Sequence, residues 1–212
     1  MIKTVVFDLD GTLLNTLDDL TDSLNYALTE MGHKTYEGAQ VRRWIGGGAG
    51  PLVAAAMEGE SEERVAKCKE IFLGHYIKNA DNKTDLYPGI REMVTALYEK
   101  GYNMGVVSSK GDVAVKALIN SYFGKEMPVA LGEHPDIRKK PAPDAVFRAM
   151  EVLGGTKEDT IYVGDSEVDV ATAKNAGIPC IIVTWGFRDR EELESLNPDY
   201  IIDTPEQILE IL

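Results

Sequence analysis

Cysteine is scarce in this chain: 212 residues contain only Cys68 and Cys180. Neither belongs to a CxxC pair, which argues against a zinc site and against a disulfide framework. The expectation is two free, buried thiols in a reducing compartment. Positive charge is also short, with 22 Lys and Arg against 35 Asp and Glu and a formal net charge of −13. A nucleic-acid partner is therefore not expected, because such binders neutralise phosphates with Lys and Arg. No apolar run approaches the ~18 residues needed to span a bilayer, so no membrane partner is expected either. There is no basic stretch followed by an apolar segment and a cleavage site at the start, and the expected location is cytoplasmic. The three histidines, His33, His75 and His134, are scattered and read as incidental. Repeats and low-complexity tracts are absent. What remains is an ordinary globular composition, 44% hydrophobic and 27% charged, long enough for one full domain and a smaller module.

Short, continuous apolar runs recur at TVVFDLD (4–10), NMGVVSS (103–109), PVALG (128–132), TIYVGD (160–165), CIIVTWG (180–186) and YIID (200–203). They lack the alternation of a half-exposed strand and read as strands buried on both faces. Helical patterns lie between most of them. Ile90, Met93, Val94 and Leu97 precede Gly101, and Val146, Phe147, Met150 and Leu153 precede Gly154, each at helical spacing. Strand alternating with helix predicts an α/β fold with a Rossmann-like parallel sheet.

The segment 16–82 breaks this rhythm. Leu20, Leu24, Ala27, Leu28 and Met31 form one helical stripe; Leu52, Val53, Ala56 and Met57 suggest a second helix, and Val65, Cys68, Ile71 and Phe72 a third. No strand is evident there. The division expected is a core of 1–15 and 83–212 with an inserted all-helical cap at 16–82, which could move on linkers near 14–18 and 81–87.

Ligands of a parallel α/β sheet sit beyond the carboxyl ends of its strands. At those ends lie Asp8 and Asp10, then Ser108, Ser109 and Lys110, then Asp165, Ser166 and Asp169, with Lys140 in RKKPAPD. Four carboxylates, serine hydroxyls and lysines on one edge point to magnesium-dependent phosphoryl transfer. Each also has a plainer reading. Asp8 and Asp10 could be an acidic turn, Asp169 could cap a helix from Ser166, Lys140 could be one of a solvated basic triplet, and Ser108 a strand-end serine.

DLDGTL, the run into SS, KKPAP and GDSEVD resemble, in order, the four motifs of the haloacid dehalogenase superfamily, and together they cover nearly the whole chain. VRRWIGGGAGPLV and YPGI are most similar to its phosphoglycolate phosphatase branch, although Ser108-Ser109-Lys110 stands where that branch usually has Thr-Asn-Lys. The resemblance implies a phosphatase acting on a small phosphorylated metabolite through an aspartyl-phosphate. It implies Asp8 as nucleophile, Asp10 as acid and base, and Ser108 and Lys140 holding the phosphoryl group. Mg2+ would be held by Asp8, Asp165, the Asp10 carbonyl and Asp169, the last through water. In the cap, the amides of Gly46, Gly47 and Gly48 are candidates for an anionic substrate group, as are Arg42 and Arg43; a plain turn and surface arginines on a helix are the alternatives. In the core, Ser109 next to Ser108 is a further substrate-binding candidate. Trp44 and Trp185 read as packing residues. A phosphosugar mutase and a non-catalytic phosphate-binding module share the same core residues. The assembly expected is a monomer or homodimer.

Overall fold

The computed structural model describes all 212 residues, Met1–Leu212. The chain starts with β1 (Thr4–Phe7) and β2 (Leu14–Asn15), then runs through four helices, α1 (Leu17–Glu30), α2 (Gly38–Val41), α3 (Ala49–Ala56) and α4 (Glu62–Asn79). It returns through β3 (Asp85–Leu86) to α5 (Ile90–Glu99), β4 (Asn103–Gly111), α6 (Asp112–Tyr122), β5 (Val129–Glu133) and α7 (Asp144–Leu153). It finishes with β6 (Thr160–Gly164), α8 (Glu167–Ala176), β7 (Cys180–Val183), α9 (Arg190–Ser195), β8 (Tyr200–Ile202) and α10 (Ile208–Ile211).

Six strands form one sheet in the order β5-β4-β1-β6-β7-β8, and every pairing is parallel. All four residues of β1 are buried, so the apolar run has no solvent face to alternate with. β1 pairs with β4 on one side, Phe7 opposite Val106, and with β6 on the other, Phe7 opposite Val163. The chain builds outward to β5 and then crosses back to β6. Strand order therefore reverses at β1, and the crevice that such a reversal opens lies at its carboxyl end.

Two apolar clusters cover the two faces of the sheet, one with Val5, Phe7 and Leu97, the other with Val6, Val146 and Tyr162. Phe147, expected with Val146 in the helical stripe of α7, is instead 38% exposed, with Lys157 Nζ 5.0 Å from its ring centre. The buried stripe on α7 is narrower than the sequence spacing suggested.

The helices from α1 to α4 share their own apolar cluster, including Leu24, Leu28, Val53 and Phe72, and it takes in Phe187 from the loop after β7. Full burial of one such leucine contributes about 1.5–3 kcal/mol. The stripe of α1 is buried as expected at Leu20, Leu24, Ala27 and Leu28. Two features were not anticipated. α2 and a short 3-10 turn at Arg42–Trp44 stand before α3. The segments expected as separate linkers are paired: β2 and β3 form an antiparallel ribbon, Leu14 opposite Leu86.

Asp19, 2% exposed, ties this return path down. Its carboxylate accepts from the amides of Asn82 (3.1 Å), Lys83 (3.0 Å) and Thr84 (2.8 Å) and from Thr84 Oγ1 (2.8 Å). Asp19→Ala orphans these donors in a buried setting and is expected to cost about 3 kcal/mol; Asp19→Asn, which keeps an acceptor, costs less. Urea unfolding checks this, and an unchanged midpoint in Asp19→Ala would refute it.

Candidate active site

The end of β1 sets the site. The Asp8 amide continues the ladder by donating to the Val163 carbonyl at 2.8 Å, and the chain then turns at Gly11. A side chain there would be doubly excluded: φ is +85°, and a methyl group would overlap the Asp165 carboxylate. The turn thereby brings the first strand's aspartates against the loop after β6.

Lys140 lies at the centre. Its side chain is 3% exposed, and Nζ donates to Asp8 Oδ1 at 3.0 Å and Asp169 Oδ1 at 2.7 Å. It is not a solvated member of the basic triplet. Burial opposes its charge, but Asp169 and Asp8 outweigh burial and hold it well above the usual lysine value. The other oxygen of Asp169, Oδ2, accepts from the amides of Asp165 and Ser166 at 3.1 Å and from Ser166 Oγ at 2.6 Å. Asp169 therefore caps α8 with one oxygen while the other faces Lys140. Tyr162 Oη also donates to Asp169 Oδ1, at 3.1 Å.

Asp10 is served by a different lysine. Lys110 Nζ donates to Asp10 Oδ1 at 2.6 Å and to Tyr76 Oη at 2.6 Å. Burial works against the Lys110 charge, and Asp10 together with Tyr76 more than restores it. Thr16 Oγ1 also donates to Asp10 Oδ1, at 2.7 Å, which is why it leaves α1 without a side-chain cap. The register of β4 shifts between Val107 and Gly111, and this irregular end carries Ser108 and Lys110 to the site. Ser108 is buried, and its Oγ accepts from the Lys110 amide at 3.2 Å.

Asp165 accepts from the Phe187 amide at 2.7 Å, and no Lys or Arg lies within ion-pair distance. Oxygen atoms of Asp8, Asp165 and Asp169 all fall within 4.8 Å of one another. Burial, only partly offset by Lys140 and reinforced by Asp169 and Asp10, pushes the Asp8 carboxyl up to about 7. Asp165 is raised well above the carboxylate range by burial, then by Asp169 and Asp8. Clustered, under-neutralised carboxylate oxygens are the donor set of a hard divalent cation, and the residues fit one.

A cavity of about 470 Å3 opens over Asp8, Asp10, Ser108 and Ser109. Gly46 and Gly48 line it, whereas Gly47 faces a small adjoining recess with Ser109 and Lys140. Arg43 is exposed and lines neither. Arg42 turns away to Asp189 Oδ1 (2.9 Å) and to the carbonyls of Gly186 and Arg188, both 3.2 Å. Arg188 answers from the other side, donating to the Ile45 carbonyl at 2.8 Å. Trp44 packs edge-on against Tyr36, ring centres 4.8 Å apart, and Trp185 donates to the Thr12 carbonyl at 3.0 Å. His134, read as incidental, lies on the cavity wall. Sequence reasoning missed Tyr76, although it continues the Val65, Cys68, Phe72 stripe by one turn, and it missed the Lys110–Asp10 pair, for which no periodic signal exists.

The model of the haloacid dehalogenase-like hydrolase family matches residues 5–183. A phosphoglycolate phosphatase of Vibrio parahaemolyticus is 31% identical over 219 residues, covering 100% of this chain and 96% of its own. One of Aquifex aeolicus is 30% identical, covering 100% and 97%. A solved structure from Lactobacillus delbrueckii subsp. bulgaricus, provisionally assigned as a phosphoglycolate phosphatase, superposes with a TM-score of 0.94. It is 33% identical and covers 99% of this chain and 97% of that one. No helix is long and apolar enough to cross a membrane.

The raised carboxyls make a pH prediction. A carboxyl whose folded value lies above its unfolded one binds its proton more tightly in the folded state. Metal-free protein therefore loses stability as pH climbs from about 4 through 7. Melting temperature in chelator should fall between about pH 5 and pH 7.5, and Mg2+ should restore more at the higher pH. Asp8→Asn should weaken both effects. Equal stabilisation by Mg2+ at the two pH values would contradict this account of the cluster.

Proposed function

The chain belongs to the haloacid dehalogenase-like hydrolase family and is a phosphatase of it; from that premise we propose that it hydrolyses the phosphate monoester of a small organic acid, the class that includes phosphoglycolate, with Mg2+ as cofactor. The observation that carries this reading is the meeting of Asp8, Asp10 and Ser108 around one cavity at the point where strand order reverses, with Lys140 bonded to Asp8 from the adjoining recess. The helices between β2 and β3 serve as the cap over that cavity.

Asp8 attacks phosphorus, and its oxygen takes the phosphoryl group as the ester bond breaks. Asp10 gives a proton to the departing alkoxide and later removes one from the water that hydrolyses the aspartyl-phosphate. Lys110 and Thr16 hold the Asp10 carboxylate from one side and fix its direction. Lys140 bridges Asp8 and Asp169, keeping the nucleophile aimed while its ammonium offsets phosphoryl charge. The Ser108 hydroxyl donates to a phosphoryl oxygen. Asp8, Asp165 and the Asp10 carbonyl would hold Mg2+, with Asp169 outside them; when bound, Mg2+ supplies Lewis-acid stabilisation of charge on the phosphoryl oxygens.

Phosphate release from a panel of small monoesters, 2-phosphoglycolate included, tests the reading with Mg2+ and with chelator. Turnover should require Mg2+ and vanish in Asp8→Asn. Asp10→Ala should lose on the order of 10²–10⁴ in kcat, as expected for removing a general acid–base group. Metal-independent turnover, or full activity in Asp8→Asn, would overturn the assignment.

A further inference from the structure

The cavity is roomier than a two-carbon phosphoacid needs. At about 470 Å3 it falls in the range of pockets that take drug-sized ligands, roughly 300–1,000 Å3. One wall is a single face of α4. Lys69, Phe72, Leu73 and Tyr76 all line it, at the i, i+3, i+4 and i+7 positions that share a helix face. Tyr76 marks the reacting end, since its hydroxyl meets the Lys110 ammonium that holds Asp10. Lys69 lies two turns earlier, on the order of 10 Å farther along the axis, and helical side chains lean toward the N-terminus, away from Asp10.

Lys69 is also the lining cation without an answering charge. Lys110 pairs with Asp10, Arg138 with Asp144 and Lys139 with Glu133. Lys69 is half-buried and has neither an ion pair nor a side-chain hydrogen bond; its Nζ lies beside the start of α3, 3.9 Å from where a Cβ on Gly50 would be. Between the two ends the wall is apolar: Phe72 and Leu73 on α4, with Leu20, Ile45 and Leu52 also lining the cavity.

We propose that Lys69 is a specificity-determining residue that binds the anionic tail of an elongated substrate, a phosphate monoester whose leaving group has an apolar spacer ending in a second anion. The inference rests on the phosphatase reading and specifies its substrate class. Ordinary bond lengths put the carboxylate of a two-carbon phosphoacid only about 4 Å from phosphorus, short of Lys69. A spacer of about five or six carbons covers the distance and lies along Phe72 and Leu73. The tail would form a charge-assisted hydrogen bond in a partly dehydrated site, the stronger class of such bonds.

The test compares kcat/KM for the phosphate monoester of 6-hydroxyhexanoic acid, hexyl phosphate and 2-phosphoglycolate, in the wild type, Lys69→Met and Lys69→Glu. The wild type should favour the six-carbon acid over hexyl phosphate by roughly tenfold or more, and over 2-phosphoglycolate as well. Lys69→Met should bring the acid-to-hexyl ratio close to one, mainly through KM, and Lys69→Glu should invert it. A wild-type ratio near one, a ratio retained in Lys69→Met, or 2-phosphoglycolate as the best of the three would overturn the proposal. Hexyl phosphate keeps the two readings apart. Its Mg2+-dependent hydrolysis without tail discrimination removes only the role of Lys69, whereas no release from any ester removes the phosphatase reading and this proposal together.

Discussion

Negative charge buried at the carboxyl edge of a parallel sheet is the constraint around which the molecule is arranged. Asp8, Asp165 and Asp169 are all buried there, and Asp10 stands beside them. A pair of charges 4 Å apart interacts by about 4 kcal/mol at an effective dielectric near 20, so repulsion within the group is as large as any one attraction that could relieve it. Two ammonium groups answer four carboxylates and leave two charges unmatched, the amount that a divalent cation carries. The local backbone makes way for this crowding: a methyl group at Gly11, Gly164 or Gly186 would overlap the carboxylate of Asp165 or Asp169.

The two lysines divide the work. Lys140 holds Asp8 and Asp169 within the core. Lys110 holds Asp10 while reaching Tyr76 on α4, so Asp10 and a helix from the insert share one ammonium. A second link lies on the far side, where Arg42 donates into the loop after β7 and Arg188 from that loop donates back to the Ile45 carbonyl. With the Asp19 contacts to Lys83 and Thr84, these bonds join the helices over the cavity to the core through polar groups at three places, in addition to the apolar contact made by Phe187.

The sheet was legible in the sequence because strands buried on both faces become unbroken apolar runs, and the residues ending those runs are where ligands must lie. Asp8, Asp10, Ser108, Asp165 and Asp169 could be named for that reason, and Lys140 from its place before Pro-Ala-Pro. Lys110 was visible but its partner was not, because the bulge that turns it toward Asp10 leaves no periodic trace. Arg43 stands exposed and outside the cavity lining: residues 42–44 form a 3-10 turn, and so tight a turn changes which side chains share a face. His134 belongs to the loop after β5, where proximity to the cavity comes from the path of the chain and not from any local pattern. The ribbon of β2 and β3 is only two residues long on each side, too short to declare itself by alternation.

That ribbon has a consequence for how the molecule is put together. Neighbouring strands run about 4.8 Å apart, so the chain leaves the core and re-enters it at almost the same point. To the core, everything between is a single closed excursion whose ends are already brought together, and lengthening it adds little loop-closure entropy. The ribbon is thus a socket. Any folded unit with adjacent termini could be seated there without disturbing the sheet, and the chemistry at the end of β1 could be offered to differently shaped substrates by exchanging the part plugged in above it.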